Sequence, residues 1–122
     1  MLYSQSAKQF LLVGSRLMDL IVEDTLKKGV EAHQSGNYKE ADRLYNSILI
    51  VQPNHPDANH NLGVLSVGRG RVKESLPLFR NAINANPTIT QFWLSYLEAL
   101  IKLKKISEAK KVIEQAKKKG IR

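Results

Sequence analysis

The strongest constraint on the fold of this chain is a ladder of similar residues that recurs every 34 positions. Glycine recurs at Gly29 and Gly63, and an aromatic residue recurs at Tyr45 and Phe79. The same step relates Gly36 to Gly70, Pro53 to Pro87, Ala41 to Ser75 and Ala109, and Ile48 to Ala82 and Ala116. Self-similarity at a fixed period of about 20–50 residues marks a repeat architecture. The chain is therefore predicted to be an array of similar units.

Three units follow from this period, at residues 22–55, 56–89 and 90–122. In each unit, apolar residues follow helical spacing on both sides of a central turn, as Leu76, Phe79 and Ile83 do. The turn of the second unit contains Gly70, and glycine tolerates the left-handed conformation that ends many helices. Each unit is therefore predicted to be a helical hairpin, and neighbouring hairpins must stack because none can bury its apolar face alone.

Some local details are predicted as well. Asn37 and Glu40 have the spacing of a capping box at the start of a helix. Tyr38 is expected to face inward, whereas Phe92, next to the predicted core residue Trp93, is expected to lie nearer the surface. The turn of the third unit, residues 104–107, lacks the glycine of the other two.

Composition and charge limit the classes of function. The chain has no cysteine, which excludes disulfides and thiolate metal sites. Its net charge is +8, and residues 90–122 carry +6 of it, from nine basic residues and three glutamates. A basic end can attract nucleic acid, but lysines late in a final helix also suit the helix dipole. No stretch is long and apolar enough to span a membrane, and a cytoplasmic location is expected.

Catalytic and metal-binding patterns are not evident. The three histidines, His33, His55 and His60, do not have the spacing of known metal motifs, although His33 and His60 could face each other on neighbouring helices. No nucleophile turn or glycine-rich phosphate loop accompanies the serines. We therefore expect no catalytic residues, no metal site and no cofactor.

Residues 1–21 are a separate element in this interpretation, an amphipathic helix with a wide apolar face. The residues predicted to mediate self-association are Phe10, Val13, Leu17, Met18 and Ile21. Three arrangements stay open: a cap on the first unit, packing on another copy in a dimer that exchanges this helix by domain swapping, or a helix on a membrane surface. No glycine or proline lies between Ile21 and Lys28, so one long helix through the junction is possible.

The ladder resembles the tetratricopeptide repeat (TPR). The second unit carries the resemblance most clearly, at Leu62, Gly63, Gly70, Phe79, Ala82 and Pro87. The first unit matches at Gly29, Gly36, Tyr38, Ala41, Tyr45 and Pro53, and the third at Trp93, Leu100, Ala109 and Ala116. In the third unit Ile121 stands where the closing proline is usual. The resemblance covers about residues 22–122 and implies an all-α, right-handed superhelix of antiparallel helix pairs, here with an extra N-terminal helix.

The resemblance also implies a noncatalytic scaffold that binds a peptide or protein segment on its concave face. The matching groove positions are Leu26, Val30, His33, His60, Asn61, Val64, Val67, Leu94, Glu98 and Ile101. One subgroup of the family clamps the C-terminal carboxylate of heat-shock chaperones with basic and amide side chains. Of its clamp positions only Asn61 matches, because the others hold Leu26, Val30, Gln91 and Ser95. The groove is therefore expected to suit a segment with apolar anchors.

Two alternative functions stay open. The array is similar in style to those that precede transferase domains in bacterial proteins, so residues 1–122 could be a regulatory or assembly part of a larger enzyme. The basic end leaves a nucleic-acid-binding module as the other alternative. Repeat arrays usually finish with a polar capping helix, so the far face of the third unit is expected to be exposed or covered by something else.

Overall fold

A computed structural model describes residues 5–121, apart from the side chains of residues 5, 10 and 11. The described residues form six α-helices: α1 (Gln5–Gln34), α2 (Tyr38–Val51), α3 (Pro56–Gly68), α4 (Val72–Ala85), α5 (Thr90–Lys102) and α6 (Ile106–Lys118). None of the described helices combines the length and the hydrophobicity that crossing a membrane requires.

The first helix, α1, is one continuous element of 30 residues. The predicted N-terminal helix and the first helix of the first unit are therefore not separate, and the boundary near residues 21 and 22 lies inside α1. The reason is local, because no glycine or proline interrupts residues 15–28. The N-terminal half of α1 projects from the hairpins as a direct extension of the first one.

The helices pack in chain order as three hairpins. Each helix contacts the next, and α3 also contacts α1 and α5. The aromatic residue Tyr45 is buried against Leu62 and Leu65 of the following hairpin. Phe79 belongs in the same way to a core cluster that includes Phe92 of α5. Each aromatic side chain therefore fills the joint between its own hairpin and the next one.

Glycine makes room for these aromatic rings. A Cβ atom at Gly29 would lie 2.7 Å from Cε1 of Tyr45, and one at Gly63 would lie 2.5 Å from Cε1 of Phe79. Both distances are too short for a real side chain. The third hairpin holds Leu97 and Ile113 at the two corresponding positions. In the third hairpin, Leu97 thus replaces the glycine, and the smaller side chain of Ile113 replaces the aromatic ring.

The link between successive hairpins is held by a side-chain hydrogen bond to the proline that closes each unit. Nδ2 of Asn59 donates to the carbonyl oxygen of Pro53 at 3.0 Å, and Nε1 of Trp93 donates to the carbonyl oxygen of Pro87 at 2.9 Å. Asn59 and Trp93 occupy the same repeat position. Two different side chains thus make the same connection.

The turns inside the hairpins share a left-handed residue. Gly36 has a φ of 82° and Gly70 a φ of 79°. Lys104, one period further on, has a φ of 58°. The third turn thus keeps the conformation of the other two without the residue that adopts it most easily, and a side chain there is strained.

Three of the local predictions were wrong. The side chain of Asn37 makes no capping hydrogen bond, and the Glu40 carboxylate pairs with Arg43 while the backbone N–H of Asn37 donates to the carbonyl oxygen of Ala32. Tyr38 is 47% exposed and packs edge-on against the ring of His33, since it begins α2 at the surface. Phe92 is only 3% exposed, because α5 turns it toward the preceding hairpin.

Candidate functional site

The concave side of the array is lined by α1, α3 and α5, the first helices of the three hairpins. All ten predicted groove residues lie on these helices. Leu94, Glu98 and Ile101 on α5 and Val64 on α3 are exposed. The remaining six are half-buried: Leu26, Val30, His33, His60, Asn61 and Val67. Among the exposed aliphatic residues, the exposed fraction is 37% for Val64, 46% for Leu94 and 55% for Ile101.

A cavity of about 340 Å³ lies in this groove between α3 and α5. Its lining residues are His60, Val64, Val67, Phe79, Gln91, Ser95, Glu98, Ala99 and Lys102. Four of them are predicted groove residues, namely His60, Val64, Val67 and Glu98, and Gln91 and Ser95 occupy clamp positions. Phe79 was predicted to be a core residue, and Ala99 was not singled out. The repeat pattern does not predict that Phe79 borders the groove, because the pattern assigns this position to the core between hairpins. The cavity has an apolar floor with charged groups at one end.

His60 ties the two sides of this cavity together. Its Nε2 atom lies 2.8 Å from Oγ of Ser95 on α5, and its ring centroid lies 4.9 Å from that of Phe92. Burial lowers the pKa of His60 from its ordinary 6.5, and the smaller effects of Asn61 and Asp57 oppose this shift. Burial therefore favours the uncharged form of His60, which contributes a polar edge to the cavity.

Ser95 and His60 do not form a nucleophile and a base with the surroundings that acyl transfer needs. Ser95 lies within α5, is 8% exposed and accepts a hydrogen bond from Nε2 of Gln91 at 3.1 Å. Backbone N–H groups inside a helix are already bonded, so they cannot stabilise an oxyanion. No group of three potential metal-ligating side chains lies close together in residues 5–121 where side chains are described. The row Gln91, Ser95 and His60 is better suited to hydrogen bonding with a ligand.

The first hairpin closes its part of the groove differently. Nδ1 of His33 lies 3.3 Å from the hydroxyl oxygen of Tyr45. Burial lowers the pKa of His33 from its ordinary 6.5. His33 and His60 thus each contact their own partners, Tyr45 and Ser95, on different hairpins.

The projecting half of α1 exposes a second apolar surface, which we call the α1 stripe: Val13, Leu17, Met18, Leu20 and Ile21. Their exposed fractions run from 42% for Met18 to 60% for Leu20. Phe10, also predicted to self-associate, lies outside the described side chains. At the base of the stripe, a cavity of about 250 Å³ is bordered by Met18, Ile21 and residues of α2 such as Val51. Val51 carried no signal in the ladder.

The opposite end of the array is a third apolar surface, which we call the end face: Trp93, Leu94, Leu97, Ile113, Ala116 and Ile121. These residues surround a cavity of about 160 Å³ on the outer side of α5 and α6. Ile113 is 40% exposed, although Phe79 and Tyr45 at the same repeat position are 1% and 0% exposed. The expected exposure of the far face of the third unit is therefore found.

Comparison with known proteins identifies the fold. No protein-family model matches the chain, and no curated protein matches it in sequence. Among solved structures, Thermobaculum terrenum O-GlcNAc transferase is similar over 81% of this chain, with a TM-score of 0.74 and 20% identity. The chain spans only 19% of that transferase.

Two further structures share the fold. Yeast Tom70 is similar over 79% of this chain and 20% of its own length, with a TM-score of 0.72 and 22% identity. The first TPR of Spaghetti (RPAP3), bound to an HSP90 peptide, is similar over 78% of this chain and 77% of its own, with a TM-score of 0.70 and 22% identity. The predicted all-α superhelix of helix pairs is thus confirmed. The chain has the fold of a tetratricopeptide-repeat protein, built from three repeats.

Proposed function

We propose that this chain is a noncatalytic protein-interaction module that holds a peptide or protein segment in the groove between α3 and α5. The observation that carries the proposal is the exposed apolar lining of that groove. Val64 and Val67 line a cavity of about 340 Å³, large enough for one aliphatic or aromatic side chain, and Ser95 and Gln91 border it with polar groups. Leu94 and Ile101 add exposed apolar surface on α5. Concave sites of this composition are the usual place for a bound segment.

The chemistry of the groove favours an apolar anchor over a terminal carboxylate. Two of the clamp positions are the aliphatic Leu26 and Val30, and Gln91 and Ser95 are uncharged. Glu98 and Lys102 place one charge of each sign at the end of the cavity. The HSP90 peptide bound by the similar Spaghetti domain supports a peptide as the kind of ligand. Here we expect affinity to come from a buried side chain of the ligand.

Peptide selection tests this function. Peptides are selected from a random library on the wild-type chain, and their affinities are measured by fluorescence polarisation. Val64→Asp is expected to weaken binding at least about tenfold, since it places a charge in an apolar pocket. Ile50→Asp is the matched control, because Ile50 is 80% exposed on α2 and borders none of the three surfaces.

A second comparison distinguishes a groove that binds an apolar side chain of the ligand from one that binds its C-terminal carboxylate. Each selected peptide is made with a free and with an amidated C-terminus, and the two forms should bind equally. The proposal fails if no selected peptide distinguishes Val64→Asp from Ile50→Asp. A strong preference for the free carboxylate would instead mean that the ligand is clamped by its terminus.

We also infer that the chain self-associates through the α1 stripe. Five large aliphatic side chains are at least 42% exposed along one segment of helix. Exposed apolar patches of this kind usually mark interfaces. Burying a Leu, Ile or Val side chain contributes about 1.5–3 kcal/mol, so several together can offset the loss of freedom on association.

Light scattering coupled to size exclusion tests self-association at high micromolar concentration. The wild-type chain is expected to exceed the 13.8 kDa mass of one copy. Leu17→Lys should reduce the mass to that of a monomer. Leu12→Lys is the control, because Leu12 is 60% exposed on the same helix but lies off the stripe. A monomeric wild-type chain would contradict the inference.

A further inference from the structure

The end face has the composition of a joint between hairpins, and no hairpin of the described residues covers it. Within the array, the position held by Tyr45, Phe79 and Ile113 is covered wherever another hairpin follows. Leu62 and Leu65 of α3 cover Tyr45, and Phe92 and Tyr96 of α5 pack in the cluster around Phe79. Ile113 alone of the three is 40% exposed. The structure thus shows what kind of element this surface accepts, namely the first helix of a following hairpin.

The covering helices share one residue spacing. In α5 the covering positions are Phe92, Tyr96, Ala99 and Leu100, which are all buried. In α3 the corresponding positions are Ala58, Leu62, Leu65 and Ser66. The spacing i, i+4, i+7, i+8 places them on one side of a helix. An element that completes the end face must present apolar residues with this spacing.

The repeat portion of α1 cannot be that element. Its residues at the covering positions are Asp24, Lys28 and Glu31, which are exposed, and Nζ of Lys28 lies 3.0 Å from Oδ2 of Asp24. Burying these charges against Ile113 and Leu97 would be costly. A simple continuation of the superhelix from one copy into the next is therefore disfavoured.

The projecting portion of α1 has the required pattern. Val13, Leu17, Leu20 and Ile21 repeat the spacing of the covering residues and are at least 52% exposed. Leu17 and Ile21 lie seven residues before Asp24 and Lys28, which is nearly two helical turns, so they continue the same face of α1. The covering face of α1 is thus charged beside its own hairpin and apolar beyond it.

Charge also favours this pairing over the alternative between two end faces. Residues 90–122 carry a net charge of +6, whereas residues 1–34 carry four basic and four acidic groups. Two end faces would bring +6 against +6, but the α1 stripe brings a neutral segment. The stripe cannot reach the end face of its own chain, because the described part of α1 is one helix that contacts only α2 and α3.

We propose that the α1 stripe of one copy docks on the end face of a second copy, in the place that α5 takes over the second hairpin. This assignment rests on the inferred self-association and names the surface that accepts the helix. The contact is heterologous, since donor and acceptor are different surfaces. Such contacts form rings where the rotation closes and open chains where it does not.

Complementation between two defective variants tests the pairing. Leu17→Lys removes the donor, and Ile113→Lys removes the acceptor; each adds a charge of the same sign as the basic end. Each variant alone should have the mass of one 13.8 kDa chain, and an equimolar mixture should give a two-copy complex that grows no further. Circular dichroism confirms that both variants fold. Leu12→Lys and Ile50→Lys carry the same charge change at exposed positions and should leave association as in the wild type.

The outcomes separate the two proposals. A monomeric wild-type chain overturns both self-association and the pairing. A self-associating wild-type chain whose mass is unaffected by Ile113→Lys overturns only the pairing, and so does a mixture that remains monomeric. Ile121→Lys, a second change in the end face near the C-terminus, should reproduce the effect of Ile113→Lys, including its rescue by Leu17→Lys.

Discussion

The second and third hairpins have the same backbone plan but solve the same packing problem with different residues. In the second, Gly63 leaves space for the ring of Phe79, which is 1% exposed. In the third, Leu97 and Ile113 occupy those two positions, and Ile113 is 40% exposed. The difference teaches that burial at a repeat position depends on the hairpin that follows, since the same position is interior only where it is covered.

The largest expected effect tests that dependence directly. Phe79→Ala should destabilise the fold by about 3–5 kcal/mol, because it empties the joint between two hairpins. Tyr45→Ala should cost a similar amount. Ile113→Ala should cost only about 1–2 kcal/mol, since part of the side chain already contacts water. Urea unfolding in dilute solution, where copies do not associate, measures all three.

Equal losses at Phe79 and Ile113 would contradict the comparison. A loss below about 1 kcal/mol at Phe79 would mean that its ring is not a core element.

The next effect concerns the glycine beside the ring. Gly63→Ala should destabilise by about 1–3 kcal/mol, because the new Cβ would lie 2.5 Å from Cε1 of Phe79. In a Phe79→Ile background, which imitates the third hairpin, the cost should fall by about 1 kcal/mol in a double-mutant cycle. Gly14→Ala is the control, since nothing lies within 4 Å of its Cβ position. It should stabilise α1, and additive effects at Gly63 and Phe79 would refute the steric explanation.

A smaller effect is expected in the turns. Lys104→Gly should stabilise the chain by about 0.5–1 kcal/mol, because Lys104 adopts a φ of 58° that glycine tolerates without strain. Gly70→Lys, at the same position of the second hairpin, should destabilise by a similar or larger amount. Thermal unfolding of both variants measures the pair. If Lys104→Gly destabilises the chain, the lysine side chain stabilises the fold by more than its left-handed backbone conformation destabilises it.

The smallest effect is a dependence of stability on pH. Burial lowers the pKa of His60 from 6.5 in the folded chain, so the unfolded chain binds a proton first as the pH falls. This contribution is therefore fully present above about pH 6.5 and is lost progressively as the pH falls toward the folded pKa. The urea midpoint should decline between about pH 7 and pH 5.5, above the range where carboxylates titrate.

Substitution of each histidine shows which ring causes the dependence of the urea midpoint on pH. His60→Gln should remove more of it than His33→Gln, because the ring of His60 is buried against those of Phe79 and Phe92 at the joint between the second and third hairpins. Burial lowers the pKa of His33 in the same direction, so His33→Gln should also have some effect. An unchanged slope in His60→Gln would show that protonation of this ring is not coupled to folding.

The repeat ladder was sufficient to predict the helices of the second and third hairpins and the core positions of Tyr45 and Phe79. It was insufficient where a neighbour decides the outcome. Phe92 is next to the predicted core residue Trp93 and was expected nearer the surface, but both side chains are buried. The capping box at Asn37 does not form, since the backbone N–H of Asn37 donates to the carbonyl oxygen of Ala32 and Glu40 pairs with Arg43. Periodicity specifies positions, whereas partners depend on side chains that are distant in sequence.

The groove was predicted less completely than the fold. Its first-helix positions follow from the period and from the resemblance, and the structure places them on α1, α3 and α5. The contribution of Phe79 to the cavity floor and the hydrogen bond between His60 and Ser95 depend on how two hairpins meet. His60 and Ser95 are 35 residues apart, and no local pattern encodes a contact over that separation.

The continuity of α1 has a consequence for how this chain could acquire a different partner. Each residue adds about 1.5 Å to the length of an α-helix and rotates the next side chain by about 100° about the helix axis. One residue inserted between Ile21 and Val22 would therefore change the phase of every preceding side chain relative to the hairpins. An insertion of seven residues would nearly restore the phase and lengthen the arm by about 10 Å. The number of residues in the continuous helix α1 thus sets how far the α1 stripe lies from the hairpins and in which direction it faces.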